Sequence, residues 1–293
     1  MHFRSQCPNC KSSQMREFGV TVAPDRRHYS QVICGECGLV FSNPVCDWEE
    51  LAEFYRDDYW TEHWPGALNR DAAAVETAVA LQRLEVNRMM EHGATGRLLE
   101  IGSGTGGLLA AAREAGFEVW GIEPSSSGVA HAREVFGLEN VICGSIPDDR
   151  LSPSSFDVVC SLQVIEHVVD LDEFVESIRS LLKPGGILWI ATENYRNASH
   201  YLERGIARLR GKPAPFATAS EHTMVFTTRT LRDAIQRRGF EVTMCKAYQP
   251  SLAQKTKTMQ FRSPLSHAYF AAQHAANAVV RTGPLLRLAA VKR

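Results

Sequence analysis

Short apolar runs alternate with helical stretches through the middle of the chain. Four runs rich in Leu, Ile and Val predict strands, at residues 97–101, 117–123, 156–162 and 187–191. After the first and third runs, apolar side chains recur every three or four positions, which is the spacing of an amphipathic helix. A strand–helix–strand succession of this kind predicts a doubly wound α/β fold built on a mostly parallel sheet.

The same patterning continues on both sides of this region. Helices are predicted at about residues 67–92 and 228–238, each followed by a glycine, and residues 240–248 predict a further strand. Residues 264–281 carry apolar side chains at helical spacing. We expect four parts: a head (1–47), a connecting segment (48–93), a core (94–250) with an insertion at 194–220, and a tail (251–293).

Four of the cysteines in the head form two Cys-x-x-Cys pairs. The pairs are Cys7/Cys10 and Cys34/Cys37, with 23 residues between them. Zinc binds four thiolates in a tetrahedron, so two such turns predict a zinc ribbon. The zinc should be structural, because four thiolates leave no open position for a substrate. We expect the head to have a core of its own, with Cys46 and His28 as spare ligands.

A glycine-rich turn follows the first strand of the core. Residues 97–107 are R-L-L-E-I-G-S-G-T-G-G, and the second strand ends at Glu123, 21 residues beyond Gly102. Glycines let the backbone approach a ligand at a helix N-terminus, and a carboxylate at this separation binds ribose hydroxyls. The spacing also fits the G-x-G-x-x-G of NAD enzymes. Glu100 favours S-adenosylmethionine (SAM), because a carboxylate there can receive the methionyl ammonium.

Further motifs complete a family pattern. The turn is followed by F-D-V-V at 156–159, Q-V-I-E-H-V at 163–168 and L-K-P-G-G at 182–186. Over about residues 95–248 the chain resembles class I SAM-dependent methyltransferases. The resemblance implies a Rossmann-like sheet of seven strands, of which the last, residues 285–292, is antiparallel. The head resembles the C-x-x-C…C-x-x-C-G-L-V-F segment found before methyltransferase domains that act on nucleotide sugars and related carbohydrates.

The resemblance also implies a cofactor site. It places the glycine turn on the methionyl part of SAM, Glu123 on the ribose, Ser145 beside the adenine and Gln163 near the sulfonium. The implied cofactor-binding residues are Glu100, Gly102, Ser103, Gly104, Gly106, Glu123, Pro124, Ser145, Ile146 and Gln163. Ser145 departs from the aspartate common in the family, and Asp148 is a candidate to substitute for it.

Two Glu-His pairs are candidates for the general base. Glu166-His167 follows the fourth predicted strand, at the sheet edge where doubly wound folds bind ligands. That pair is equally consistent with a helix start. Glu221-His222 resembles the E-H-x-x-x-F segment of carbohydrate C-methyltransferases, in which the pair serves acid–base chemistry. Transfer to a hydroxyl or a carbon acid needs a base with a pKa near the operating pH, which suits histidine. We favour His222 over His167.

The net charge and its distribution along the chain indicate which kinds of binding partner to expect. The net charge is −1, and acids outnumber bases over residues 1–66, so no nucleic acid partner is expected. The insertion is basic, with Arg196, Arg204, Arg208, Arg210 and Lys212. Guanidinium groups suit phosphate, so the insertion fits a small-molecule substrate that is phosphorylated or nucleotide-linked, such as a sugar. A solvated helix face over the active site explains the same charges equally well. The alternatives are an RNA methyltransferase with a zinc module and a non-catalytic protein that binds a partner.

The remaining segments predict location and packing. Neither an apolar signal segment at the N-terminus nor an apolar run of membrane-spanning length is present, so a cytoplasmic protein is expected. The tail over 251–293 has seven Lys/Arg and no acid. We expect it to pack on the sheet rather than contact an anionic membrane. The aromatic residues between 48 and 64 could line a substrate pocket, but we favour a role in packing the head onto the core.

Overall fold

The computed structural model describes residues 1–22, 28–55, 59–198, 201, 205, 209–210, 222–249, 264–279 and 282–293. The strands are β1 (Met15–Val22), β2 (His28–Cys34), β3 (Val40–Ser42), β4 (Arg97–Ile101), β5 (Glu118–Glu123), β6 (Val141–Cys143), β7 (Phe156–Leu162), β8 (Leu182–Glu193), β9 (Met224–Val225), β10 (Phe240–Tyr248) and β11 (Leu285–Lys292). The helices are α1 (Trp48–Phe54), α2 (Tyr59–His63), a 3₁₀ turn (Pro65–Leu68), α3 (Ala72–Glu91), α4 (Gly107–Glu114), α5 (Ser126–Phe136), α6 (Leu171–Leu181), α7 (Thr228–Gln236) and α8 (Pro264–Val279).

Seven strands form the central sheet, in the order β10-β11-β8-β7-β4-β5-β6. Neighbouring strands from β8 to β6 are parallel, whereas β11 is antiparallel to both β8 and β10. The predicted fold class is therefore confirmed, including the antiparallel last strand. The chain leaves β4 towards β5 and later returns to its other side with β7. This reversal opens a crevice at the carboxyl ends of β4 and β7, where open α/β sheets bind ligands.

Apolar side chains cover both faces of the sheet. Leu98 of β4 lies in a buried cluster with residues of α3, α4 and α5, while the next residue, Leu99, lies in a cluster with α6 and α7. Val158 and Val159 of β7 divide in the same way. Because successive side chains of a strand point to opposite faces, this division shows that helices cover both faces. Continuous apolar strands are typical of such doubly covered sheets.

The head does not have a core of its own, contrary to the expectation from the sequence. Its strands form a four-stranded sheet in the order β1-β2-β3-β9, and β9 belongs to the C-terminal half of the core rather than to the head. Val40 pairs with Val225 and Phe41 with Met224. Cys7 and Phe41 share one buried cluster with residues of the central sheet. The short ribbon cannot bury its apolar face alone, so it uses the core.

The connecting helix begins later than the pattern predicted. Helix α3 starts at Ala72, because the Asp71 side chain caps it by accepting hydrogen bonds from the Ala73 and Ala74 N–H groups. The residues before it form the 3₁₀ turn that begins at Pro65. Within the described parts of the chain, no helix combines the length and the apolar character needed to cross a membrane.

Candidate functional site

The four predicted zinc ligands lie together in the head. The sulfurs of Cys7 and Cys37 are 3.6 Å apart, those of Cys10 and Cys34 are 3.5 Å apart, and all four lie within 4.8 Å of one another. A tetrahedral zinc with Zn–S bonds of about 2.3 Å separates its sulfurs by about 3.8 Å, so this set fits the metal. The hydrogen bond between the two sulfurs lowers the pKa of Cys37 to about 5. The same hydrogen bond, together with burial, raises the pKa of Cys7. Cys46 lies outside this cluster.

The glycine turn after β4 is tied to the end of β5. The N–H groups of Gly102 and Ser103 both donate to the Ile122 carbonyl, and the Gly104 N–H donates to Glu123 Oε2 at 2.8 Å. Gly102 and Gly104 have φ angles of 72° and 54°, which only glycine adopts freely. The turn therefore holds glycine backbone directly beside a carboxylate, an arrangement that suits a nucleotide ligand.

Gly106 has a second function in packing. Its φ angle is 90°, and a Cβ atom there would lie 2.7 Å from the Cβ of Ala132 in α5. The glycine thus lets the start of α4 lie closely against α5. Its predicted contact with the cofactor remains a prediction.

Glu123 is a buried carboxylate with three donors. Besides Gly104, the Ser125 N–H donates to Oε1 at 3.2 Å and the Trp60 indole donates to Oε1 at 3.3 Å. Only 4% of the residue is exposed. Burial raises the pKa of Glu123, and the three hydrogen bonds oppose that shift. The carboxylate is held rigidly at the tip of β5, where the sequence predicted a ribose contact.

Glu100 is buried at the same edge with an unsatisfied oxygen. Its Oε2 atom has no hydrogen-bond partner among the residues that the structure describes. Burial, and then the charge of Glu123, raise the pKa of Glu100 well above its usual value. Buried polar atoms are seldom left unpaired, so an orphaned carboxylate oxygen beside the glycine turn fits a cationic ligand group such as a methionyl ammonium.

The predicted adenine contacts follow β6. Ser145 and Ile146 are half-buried, and Ile146 packs against the main apolar cluster. Asp148 is bound to Arg150, whose guanidinium also donates to the Cys143 carbonyl. Asp148 is therefore already committed to an ion pair, which weakens its candidacy as a substitute for the missing aspartate. Pro124 lies across from this segment and accepts a hydrogen bond from the Cys143 thiol.

Gln163 lies at the carboxyl end of β7, where the strand turns sharply. Its φ angle is 57°, an uncommon value for a residue with a side chain, and its N–H donates to the Ala191 carbonyl of β8. Strained backbone is often found at ligand-binding edges of sheets. The turn leads directly into Glu166 and His167.

The structure brings the two predicted histidines into contact. The Glu166 carbonyl accepts hydrogen bonds from the Thr223 and Met224 N–H groups, at 2.8 and 3.2 Å, and this places His222 beside the β7–α6 loop. The rings of His167 and His222 lie edge to face with centroids 4.5 Å apart. Ligand atoms of these two histidines and of Glu166 lie within 4.8 Å of one another. The sequence analysis took the two histidines as alternative candidates for the base, whereas the structure places them in one cluster.

Burial sets the protonation states in this cluster. His222 is 9% exposed, and burial lowers its pKa to about 4, so it is neutral at neutral pH. Glu166 is 1% exposed, and burial raises its pKa to about 8, although the Thr192 hydroxyl donates to its Oε2 at 2.8 Å. A neutral imidazole can accept a proton, and a protonated carboxyl group can donate one.

Two buried polar atoms of the cluster have no hydrogen-bond partner among the described residues. Glu166 Oε1 and His222 Nδ1 make no hydrogen bond within the described ranges. Glu193 Oε2 lies 3.6 Å from His222 Nδ1. The other predicted member, Glu221, lies outside the described residues, as do Arg204, Arg208 and Lys212 of the insertion.

Aromatic residues of the connecting segment reach both parts of the site. The Tyr55 hydroxyl lies 2.8 Å from His167 Nδ1, and the Trp60 indole donates to Glu123. The Tyr59 ring lies between them, with its centroid 4.9 Å from that of the Tyr55 ring and 5.3 Å from that of the Trp60 ring. The sequence analysis favoured packing over a substrate pocket for this segment and did not include Tyr55 or Trp60 among the site residues. The cluster of aromatics was the available signal.

Sequence comparison identifies relatives of the core. The profile of the methyltransferase domain family matches residues 75–244. The ubiquinone biosynthesis O-methyltransferase of Bradyrhizobium sp. (strain ORS 278) is 31% identical over 141 residues, which are 43% of this chain and 54% of that protein. The protein of the same name from Paramagnetospirillum magneticum is 39% identical over 100 residues, 33% of this chain and 40% of that protein. The chain thus spans about half or less of these relatives.

Solved structures share the fold. A SAM-dependent methyltransferase from Thermotoga maritima superposes with a TM-score of 0.52 at 17% identity, covering 84% of this chain and all of that chain. Phosphoethanolamine N-methyltransferase 2 of Haemonchus contortus has the same TM-score and identity, covering 95% of this chain and 68% of that one. At such identities the likeness concerns the fold alone.

The buried carboxyl group of Glu166 predicts a specific pH dependence of stability. Its folded pKa of about 8 exceeds the ordinary value of 4.5, so its contribution is fully present below pH 4.5 and is lost as the pH rises to 8. Glu166→Gln does not titrate. Relative to the wild type, the variant should gain on the order of 3 kcal/mol of unfolding free energy between pH 5 and 8.

Urea unfolding at several pH values measures this difference, and Glu100 and Glu123, present in both proteins, cancel in it. Glu139→Gln, at an exposed position, is the matched control and should follow the wild type throughout. Parallel curves for Glu166→Gln and the wild type would show that Glu166 is not protonated in the folded protein.

Proposed function

Because the chain belongs to the methyltransferase domain family, we propose that it uses SAM to methylate an oxygen of a small molecule. The observation that carries this proposal is the joint placement of two sites at one sheet edge. The glycine turn with Glu100 and Glu123 lies after β4 and β5, and the His167–His222 pair lies after β7. A cofactor site beside a proton acceptor is what methyl transfer to a hydroxyl needs.

The relatives favour oxygen as the acceptor atom. The curated proteins matched over the core are O-methyltransferases by name. Within small molecules we propose a sugar or a nucleotide-linked sugar, which rests on the resemblance of the head and on the arginines of the insertion. Of these arginines, Arg196 and Arg210 fall on described positions, and Arg210 is exposed.

The residues of the chain perform distinct tasks in this mechanism. When bound, SAM supplies a methyl group that is bonded to a sulfonium sulfur. This sulfur leaves readily as a neutral thioether when the methyl group is transferred. Glu100 would hold the ammonium and Glu123 the ribose, so the cofactor is fixed in position. We propose that His222 accepts the proton of the acceptor hydroxyl, because burial keeps its imidazole unprotonated at neutral pH. Its pKa of about 4 makes it a weaker base than the histidine with a pKa near the operating pH that the sequence predicted. Glu166 and His167 would position it. Burial excludes water from this proton transfer.

Cofactor binding should depend on Glu123. The protein should bind S-adenosylhomocysteine with a Kd in the micromolar range, about −8 kcal/mol. Glu123→Ala should weaken binding by about 1–3 kcal/mol, because it removes a hydrogen-bonded carboxylate. Isothermal titration calorimetry measures both values. Glu118→Ala, at the exposed opposite end of β5, should bind like the wild type. Binding of NAD in place of S-adenosylhomocysteine would overturn the assignment.

We also propose that the four head cysteines hold one structural zinc per chain. Elemental analysis should find one equivalent, and Cys34→Ser should lose it. Because the head shares its apolar cluster with the core, Cys34→Ser should lower the melting temperature of the whole protein in a single transition. Cys46→Ser, outside the cluster, should retain the metal. Wild-type protein that is folded but free of metal would contradict the proposal.

The general base should affect turnover and not cofactor affinity. His222→Ala should lower the rate by about 10²–10⁴, the usual share of general base catalysis, while S-adenosylhomocysteine binds almost unchanged. Turnover is measured as S-adenosylhomocysteine release with a panel of a catechol, a nucleoside diphosphate sugar and a primary amine. His167→Ala is the comparison, and it should also disturb cofactor affinity through the loop that carries Gln163. The reverse pattern would assign the base to His167.

A further inference from the structure

Trp60 lies in a slot made by two glycines of the candidate cofactor site. Its ring covers Gly104, where a Cβ atom would come within 2.9 Å of the indole carbons. Its indole nitrogen lies against Gly128 of α5, where a Cβ atom would come within 2.8 Å. Side chains at these two positions would therefore exclude the indole. The slot directs the indole N–H to Glu123 Oε1, at 3.3 Å.

The acceptor capacity of Glu123 is almost used up in this arrangement. An ionised carboxylate offers about four lone-pair sites. Three are taken by the Gly104 N–H, the Ser125 N–H and the Trp60 indole. A ribose presents two hydroxyl donors, so a ribose bound through both hydroxyls brings the total to five donors. One of the three protein donors has to leave.

Trp60 is the donor that can leave. The Gly104 and Ser125 N–H groups belong to backbone turns that are fixed by the sheet and by the start of α5. Trp60 makes the longest of the three hydrogen bonds. Its donor is a side chain on the five-residue helix α2, which can rotate without distorting the backbone. Moving it costs one hydrogen bond and a half-buried packing contact, whereas moving either N–H would distort the turn itself.

We propose that Trp60 is an exchangeable part of the cofactor site: the indole satisfies Glu123 without cofactor, and a ribose hydroxyl takes its place when cofactor binds. The inference rests on the proposed use of SAM. A buried carboxylate gains from each donor that it accepts, so the indole, as the third donor to Glu123, stabilises the empty site. It also competes with the cofactor, so binding affinity is lower than the site would otherwise provide, and the indole leaves the glycine slot on binding.

Trp60→Phe tests the exchange, because phenylalanine keeps an aromatic ring but has no N–H. Calorimetry with S-adenosylhomocysteine should show a Kd lower than that of the wild type by about three- to tenfold, the equivalent of one ordinary hydrogen bond. Trp64→Phe, which replaces an exposed tryptophan of the same segment, should bind like the wild type. An unchanged or higher Kd for Trp60→Phe would overturn the proposal.

Tryptophan fluorescence gives a readout that does not depend on affinity. The emission of the wild type and of Trp64→Phe should change when S-adenosylhomocysteine is added, because the indole of Trp60 leaves its slot. The change should be lost or greatly reduced in Trp60→Phe, and a change retained in full would contradict the exchange. If Trp60→Phe does not fold, Trp60→Leu takes its place. Absence of binding by the wild type would overturn the cofactor assignment itself, which distinguishes the two failures.

Discussion

One carbonyl group organises the described part of the active site. The Glu166 carbonyl accepts the N–H groups of Thr223 and Met224, and so fixes the segment that carries His222 against the loop after β7. The next residues of that segment form β9, which completes the sheet of the head. This crossing of the chain therefore joins the head, the core and the histidine pair, and side-chain contacts of Asn9 and Lys11 with the core add to it. Displacement of this segment would separate the histidines and expose the apolar edge of the head together.

Buried acids dominate the electrostatics of the sheet edge. Glu100, Glu123 and Glu166 are each at most 5% exposed, and burial raises the pKa of all three. The protein thus retains carboxyl groups where folding alone would favour apolar side chains. Such groups are retained where a ligand or a reaction uses them, and perturbed pKa values are typical of functional sites. The glycine turn and the histidine pair lie among these acids, which supports one continuous site.

The sequence was sufficient for the fold and for the grouping of the four head cysteines. The mostly parallel seven-stranded sheet, its antiparallel last strand and the cysteine cluster follow from periodicity, motif spacing and family resemblance, and all of them agree with the structure. The contacts that were missed join residues far apart in the chain. The pairing of β3 with β9, and of Tyr55 with His167, depends on tertiary placement, which no local signal encodes. The Trp60 slot likewise forms only where α2, the glycine turn after β4 and the start of α5 come together.

The pairing of β3 with β9 also bears on how the chain is made. A ribosome releases the head long before it releases β9, so β3 emerges as an open strand edge without its partner. Exposed strand edges are templates for unwanted pairing with other chains. The two cysteine turns lie within the head itself, so all four sulfurs are available before β9 is synthesised. Closure of the head sheet, by contrast, waits until residues 224 and 225 have left the ribosome.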